Sequence, residues 1–164
     1  RGIALPLFLL HPLYAAIFVL LLLLMVPRKE LQRLSLCGIV LGGGGDIIIH
    51  SFGYITGLFA WINYGPFGFV GVHLFSSIAW SAFFIIYFYY LPRQKPFIFI
   101  YIVASICAST IYYNLLLDIQ IFKALDRLIV PIAGFALWFG VATWAFFKWN
   151  HFIEGKNREK MYPY

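Results

Sequence analysis

Charged side chains are scarce in this chain of 164 residues, at 11% of positions, whereas hydrophobic residues account for 63%. A soluble domain of this size needs far more polar surface than these residues provide. The mean hydropathy of +0.88 agrees with that reasoning. The composition therefore excludes an ordinary soluble protein and predicts an integral membrane protein.

The sequence also lacks the motifs that identify common enzymes. It has no HExxH pattern and no Ser, His and Asp order of a hydrolase, and its glycine run lacks the lysine of a phosphate loop. The two cysteines, Cys37 and Cys107, lie in separate hydrophobic segments without motif spacing. Neither a disulfide nor a reactive thiolate is expected, and a catalytic role is not favoured.

Five apolar stretches are long enough to cross a hydrocarbon core of roughly 30 Å. The connections between them are too short to fold independently, so the sequence predicts one domain, residues 1–148, followed by a polar tail, residues 149–164. The expected fold is all-α, a bundle of five transmembrane helices. The predicted spans cover residues 3–26, 37–62, 68–91, 97–117 and 128–148.

Basic residues are distributed unevenly among the connections, which predicts an orientation. Nine of the twelve Lys and Arg residues fall in the first and third loops and the C-terminal region, against three on the opposite side. The positive-inside rule then places the N-terminus outside and the C-terminus in the cytoplasm. The net charge of +6 is explained by topology and contacts with lipid headgroups, and no nucleic-acid partner is expected.

Asp46 and His50 lie one helical turn apart in the middle of the second predicted span. Ionisable side chains are costly in lipid, so they commonly mark functional sites. At a spacing of four residues the imidazole can donate a hydrogen bond to the carboxylate. The pair is therefore a candidate proton- or ligand-binding site, and the alternative is a structural polar pair that joins two helices.

Four consecutive glycines directly precede Asp46, and two interpretations of them remain open. Small residues permit close approach of a neighbouring helix. Each glycine also lowers helix propensity by about 1 kcal/mol relative to alanine, which would break the helix and expose backbone groups to a ligand or ion. The four are Gly42, Gly43, Gly44 and Gly45.

Three more polar side chains are predicted to line the outer half of the same cavity: His11, His73 and Asn114. The short connection at residues 63–68 makes the second and third spans an antiparallel hairpin, which brings their polar faces together. A metal would need three or four ligands around one ion; spacing alone does not decide this, so the cofactor stays unknown. The serines and threonines of these spans are expected to bond to their own helix backbone.

Three segments of the chain, VPRKELQRL, NYGPFGFVG and IAWSAFFIIYFYYLP, resemble small multi-pass membrane proteins of uncharacterised function from spore-forming Gram-positive bacteria. The similarity covers most of residues 20–148. The resemblance implies a bacterial plasma membrane. It supplies no activity and no residue roles.

The sequence favours a site that binds or conducts a small solute, ion or proton, with Asp46 as the titratable group and His50 as its partner. A second interpretation is a membrane-embedded accessory subunit whose glycine faces pack against other chains. A third is a redox protein that holds haem or a metal through histidines. The expected partners are the lipid bilayer and either other membrane subunits or further copies of the chain.

Overall fold

The computed structural model describes residues 6–69 and 71–161, and its side chains are described as far as residue 152. This part of the chain is mostly helical, and four of its helices are long and apolar enough to cross a membrane. A shorter apolar helix of 17 residues follows the second of them. The four long helices are Leu7–Met25, Arg28–Thr56, Lys95–Asp118 and Ile129–Phe152.

The described residues form α-helices, short strands and one π-helical segment. The helices are α1 (Leu10–Met25), α2 (Arg28–Cys37), α3 (Gly45–Thr56), α4 (Leu74–Tyr90), α5 (Lys95–Asp118) and α6 (Ile129–Met161). The strands are β1 (Phe59–Trp61), β2 (Gly68–Phe69), β3 (Val72–His73) and β4 (Phe122–Ala124). The π-helical segment, Gly38–Gly44, joins α2 to α3 without interruption.

The second long helix begins at Arg28 rather than at Cys37, so the segment predicted as the first loop is helical. Pro27 precedes it in an extended conformation, as is common before a helix start. Glu30 lies in the first turn, where a negative charge is favourable, and forms an ion pair with Arg33 at 2.6 Å. Local helix signals therefore extended the span into a charged sequence that hydropathy alone had assigned to a loop.

The same helix ends at Thr56 rather than at Ile62, and strands follow it. Gly57 has φ of +72°, a left-handed conformation that glycine adopts without strain and that commonly ends helices. Strand β1 then pairs antiparallel with β4, and β2 pairs with β3 in a hairpin. The all-α prediction is confirmed, since the described residues are mostly helical and the strands, of two or three residues each, occur only in two connections.

The pairing of β1 with β4 places the α3–α4 connection and the α5–α6 connection at one end of the bundle, which we call the strand end. The register pairs Trp61 with Phe122. Helices α3 and α5 finish at this end, and α4 begins there. The two connections therefore cover the interior of the bundle at the strand end.

Helix α4 is the central element of the fold. It packs against α1, α2, the π-helical segment and α3, and buried residues occur around its whole circumference. The hydroxyls of Tyr87 and Thr143 hydrogen-bond at 2.7 Å, which joins α4 to α6. The Tyr101 hydroxyl donates to the Tyr87 carbonyl at 3.1 Å and adds α5.

The glycine run packs tightly and does not break the helix. A Cβ atom on Gly42 would lie only 2.5 Å from the carbonyl oxygen of Trp80 in α4. On another side, Trp138 of α6 passes over Gly45, and its Nε1 donates to the Leu41 carbonyl at 2.8 Å. Of the two interpretations of the glycines, close packing fits, and the backbone adapts by adopting π-helical geometry.

Helix α6 continues beyond the predicted end of the last span. The polar tail predicted from residue 149 onward is helical as far as Met161, because lysine, arginine and glutamate are good helix formers. At the other end Asp126 caps the helix, since its Oδ1 accepts the backbone N–H groups of Leu128 at 3.0 Å and Val130 at 2.9 Å.

We expect Gly42→Ala to lower the free energy of unfolding by about 1–3 kcal/mol, because the added methyl overpacks the contact between the glycine run and α4. The measurement is unfolding of the full chain in detergent micelles. Gly140→Ala is the matched control, since a Cβ there meets nothing within 4 Å. That variant should be unchanged or up to about 1 kcal/mol more stable, and equal losses in both would contradict the packing argument.

The cap at Asp126 predicts a pH dependence for the start of α6. The Val130 backbone N–H, with others near it, lowers the pKa of Asp126 below its ordinary value. A depressed pKa gives stability that is present above the unfolded value of about 3.9 and lost as pH falls through the folded value. Protection of the Leu128 and Val130 amides from hydrogen exchange, relative to the intrinsic rate at each pH, should fall only below about pH 4, and Asp126→Ala should lack this protection at every pH.

Candidate functional site

The carboxylate of Asp46 is completely buried, at 0% exposure. Two hydroxyls donate hydrogen bonds to it, and one imidazole nitrogen lies within ion-pair distance. The Ser76 hydroxyl donates to Oδ1 and the Ser77 hydroxyl to Oδ2, each at 2.8 Å. Nδ1 of His50 lies 2.7 Å from Oδ1. A buried carboxylate needs this kind of solvation by donors, so the site supplies from α3 and α4 what water would supply at the surface.

The two serines depart from the expectation that hydroxyls in these spans bond to their own helix. Adjacent positions in the first turn of α4 let them reach the two oxygens of one carboxylate. Close approach depends on Gly43, because a Cβ there would meet the Ser81 hydroxyl and the Ser77 carbonyl. Ser81 itself bonds to the Ser77 carbonyl at 2.7 Å, as expected for a membrane helix. The pair of neighbouring serines was the signal that sequence reasoning missed.

The two ring nitrogens of His50 have different environments. Nδ1 is also 3.0 Å from the backbone carbonyl of Asp46. Since both partners on Asp46 are acceptors, Nδ1 carries the hydrogen, and in the neutral ring Nε2 has the lone pair. The residue keeps 7% exposure and its ring lines a cavity. The nitrogen that Asp46 does not engage is therefore the one available to a ligand.

This cavity lies between α3, α5, α6 and the β1–β4 pair and has a volume of about 50 Å³. A cavity of about 150 Å³ accommodates benzene, so this one suits a molecule of only a few heavy atoms. Its walls are predominantly aromatic. They include Phe59, Trp61, Trp80, Tyr112, Phe122 and Trp138.

Trp61 contacts all three histidines predicted for the site. Its ring centroid lies 5.5 Å from that of His11, 5.4 Å from that of His50 and 5.8 Å from that of His73. The residue is buried, and its position is fixed by strand pairing with Phe122. The sequence alone did not identify Trp61 as a site residue, because nothing local indicates that β1 folds back over the helices.

His11 and His73 form a stacked pair on the other side of Trp61. Both are fully buried, and their ring centroids are 4.0 Å apart at an interplanar angle of 30°. Nδ1 of His73 accepts the backbone N–H of Ser76 at 3.4 Å, which caps α4. Tyr14 joins the group by stacking on Trp61, with centroids 5.9 Å apart. We call His11, Tyr14, Trp61 and His73 the polar chamber.

Five polar atoms of the polar chamber have no hydrogen-bond partner among the described residues. They are both ring nitrogens of His11, Nε2 of His73, Nε1 of Trp61 and the Tyr14 hydroxyl. The carbonyls of Ile62 and Asn63 lie near His11, outside hydrogen-bond geometry.

The energetic consequence of these unpartnered atoms is large. A buried polar group without a partner costs about 1–3 kcal/mol, so five would offset much of the roughly 5–15 kcal/mol that stabilises a typical domain. Unpaired groups of this kind need an explanation. The five atoms cluster around the His11–His73 pair, so the polar chamber is a candidate binding site.

Asn114 is not brought together with the other predicted residues. Its side-chain amide donates to the carbonyls of Thr110 and Arg127, each at 2.9 Å. It therefore links α5 to the connection before α6. The structure brings the other four predicted residues together: Asp46 contacts His50, and His50, His73 and His11 all lie against Trp61.

A metal centre finds no support in the donor geometry. Within the described part of the chain, no group of three or more His, Cys, Asp and Glu side chains could hold a metal ion.

The chain matches no known protein family, no curated protein and no solved structure. The assignment of function therefore rests on the geometry of the site.

We expect Ser76→Ala to lower the free energy of unfolding by about 1–3 kcal/mol, because it removes a donor from a buried carboxylate. The same assay in detergent micelles measures it. Ser105→Ala is the matched control, since that hydroxyl bonds only to the Tyr101 carbonyl of its own helix at 2.8 Å. The control should stay within about 0.5 kcal/mol of the parent protein. If Ser76→Ala loses no more unfolding free energy than Ser105→Ala, then Ser76 does not solvate Asp46.

Proposed function

We propose that the chain is an integral membrane protein that binds a small solute, together with a proton, at the Asp46–His50 pair. One observation carries the proposal: a fully buried carboxylate holds Nδ1 of a histidine whose ring also lines a small cavity. Assembly of a bundle does not require such an arrangement. A binding site does, because the carboxylate fixes the tautomer that presents the free nitrogen.

The proposal includes five membrane spans, with α4 as the third. With 17 residues, α4 is roughly 25 Å long at 1.5 Å per residue, somewhat less than the hydrocarbon core. It runs from the strand end to the opposite end, where α5 begins and returns, so it covers nearly the same distance as its longer neighbours. The positive-inside rule puts the strand end outside, and the resemblance points to a bacterial plasma membrane.

The walls of the cavity define the class of solute. Aromatic faces carry negative electrostatic potential and attract cations, and the Asp46 carboxylate adds negative charge behind His50. Anions are therefore disfavoured. The cavity suits a solute of a few heavy atoms that donates a hydrogen bond or a proton to Nε2 of His50, such as ammonium or a small alkylammonium ion.

Proton binding follows from the same contacts. When the solute donates a proton to Nε2, the imidazolium that forms lies against the Asp46 carboxylate and is stabilised by it. The proton thus stays within the pair while the neutral solute occupies the apolar cavity. The pair therefore couples occupancy of the cavity to protonation of His50.

We expect methylammonium chloride to raise the melting temperature of the full chain above that in sodium chloride at equal ionic strength, because a ligand that binds only the folded state stabilises it. Sodium acetate should give no such increase. His50→Phe should abolish the increase in melting temperature. His151→Phe replaces an exposed histidine of α6 and should preserve the increase. An equal response of the parent protein and His50→Phe would contradict the proposal.

A further inference from the structure

Tyr14 connects the polar chamber to the buried carboxylate. Its ring belongs to the chamber and stacks on Trp61. Its hydroxyl is buried and lies next to the Ser76 hydroxyl, without hydrogen-bond geometry between them. Ser76 in turn donates to Oδ1 of Asp46 at 2.8 Å. Two hydroxyls therefore stand in sequence between the unpartnered chamber atoms and Asp46.

The other neighbours of Asp46 open onto apolar surroundings. Ser77 borders a groove on the outside of the bundle whose walls are mainly isoleucine, leucine and valine. His50 opens onto the aromatic cavity. The polar chamber is thus the neighbouring region that presents unpartnered polar atoms on the side of Asp46 where Ser76 lies. The groups near Asp46 are His50 from α3, Ser76 and Ser77 from α4, Tyr14 from α1, Tyr112 from α5 and His73 from β3.

We propose that the polar chamber binds water and passes protons to Asp46 through the hydroxyls of Tyr14 and Ser76. This inference rests on the proposed function, since it names the route by which the Asp46–His50 pair exchanges its proton. Water fits the chamber because His11, Trp61 and His73 offer both donors and an acceptor to it, and a buried water typically makes about three hydrogen bonds.

The transfer conserves protons and involves no electrons. Ser76 gives its hydroxyl proton to Oδ1 of Asp46 along the existing hydrogen bond. Ser76 receives a proton from the Tyr14 hydroxyl, and Tyr14 receives one from chamber water, which is reprotonated from bulk water at the strand end. Both hydroxyls return to their starting state, and one proton has moved from the solvent to the carboxylate.

The test measures hydrogen–deuterium exchange at the His50 ring N–H, by nitrogen NMR of the full, histidine-labelled chain in lipid nanodiscs moved into deuterated water. His50→Gln identifies the signal. Tyr14→Phe keeps the ring and removes only the hydroxyl, so we expect exchange to slow by about tenfold or more, the usual scale for loss of a proton-transfer group. Ser76→Ala should slow it similarly.

Tyr101→Phe is the matched control, because the Tyr101 hydroxyl donates to the Tyr87 carbonyl at 3.1 Å and contacts neither the polar chamber nor the aromatic cavity. It should exchange at the parent rate. Exchange at the parent rate in Tyr14→Phe would overturn the route. Gly134→Leu narrows the aromatic cavity. If this variant slows exchange while Tyr14→Phe does not, protons reach the pair through the cavity and the proposed route is wrong. Stabilisation by methylammonium separates the two proposals: if it persists while the exchange test fails, only the route is wrong.

Discussion

Solvation of the Asp46 carboxylate inside an apolar bundle is the constraint on which the surrounding architecture depends. One helix cannot supply enough donors, because its own backbone N–H groups are already used in the helix. The donors Ser76 and Ser77 must come from α4, and α4 can approach only where its partner has no side chains. The glycine run and the central position of α4 are consequences of that requirement.

Trp61 divides the interior into two compartments of opposite character. On one side of Trp61 is the small aromatic cavity, which the His50 ring lines. On the other side is the polar chamber, which contains the His11–His73 pair. Asp46 contacts a neighbour on each side: His50, at 2.7 Å, borders the cavity, and Ser76, which donates a hydrogen bond at 2.8 Å, lies next to Tyr14 of the chamber. The difference lies in the lining atoms, since aromatic faces surround the cavity whereas ring nitrogens and a hydroxyl face the polar chamber.

Physical cost explains which parts of this arrangement could be read from the sequence. Scarcity of charge and long apolar runs predicted the helices, and the expense of an ionisable pair in lipid singled out Asp46 and His50. Features that depend on distant contacts were missed. Nothing local shows that residues near Trp61 pair with residues near Phe122, more than fifty positions later. The helix propensity of glycine is also a local property, whereas the π-helical geometry of the glycine run is set by packing against α4. A serine hydroxyl can bond equally well to its own helix or to a distant acceptor, so the sequence does not show which one it uses.

The π-helical segment Gly38–Gly44 accommodates more residues per turn than an α-helix, and this has a geometric consequence for everything that follows it. If the segment relaxed into α-helical register, α3 would turn about its axis by about 100°, the angle of one residue. Asp46 would then leave both serines and face the lipid-exposed groove. The π-helical geometry therefore keeps the Asp46 carboxylate toward α4, and the hydrogen bond from Trp138 to the Leu41 carbonyl lies within the segment that sets this geometry.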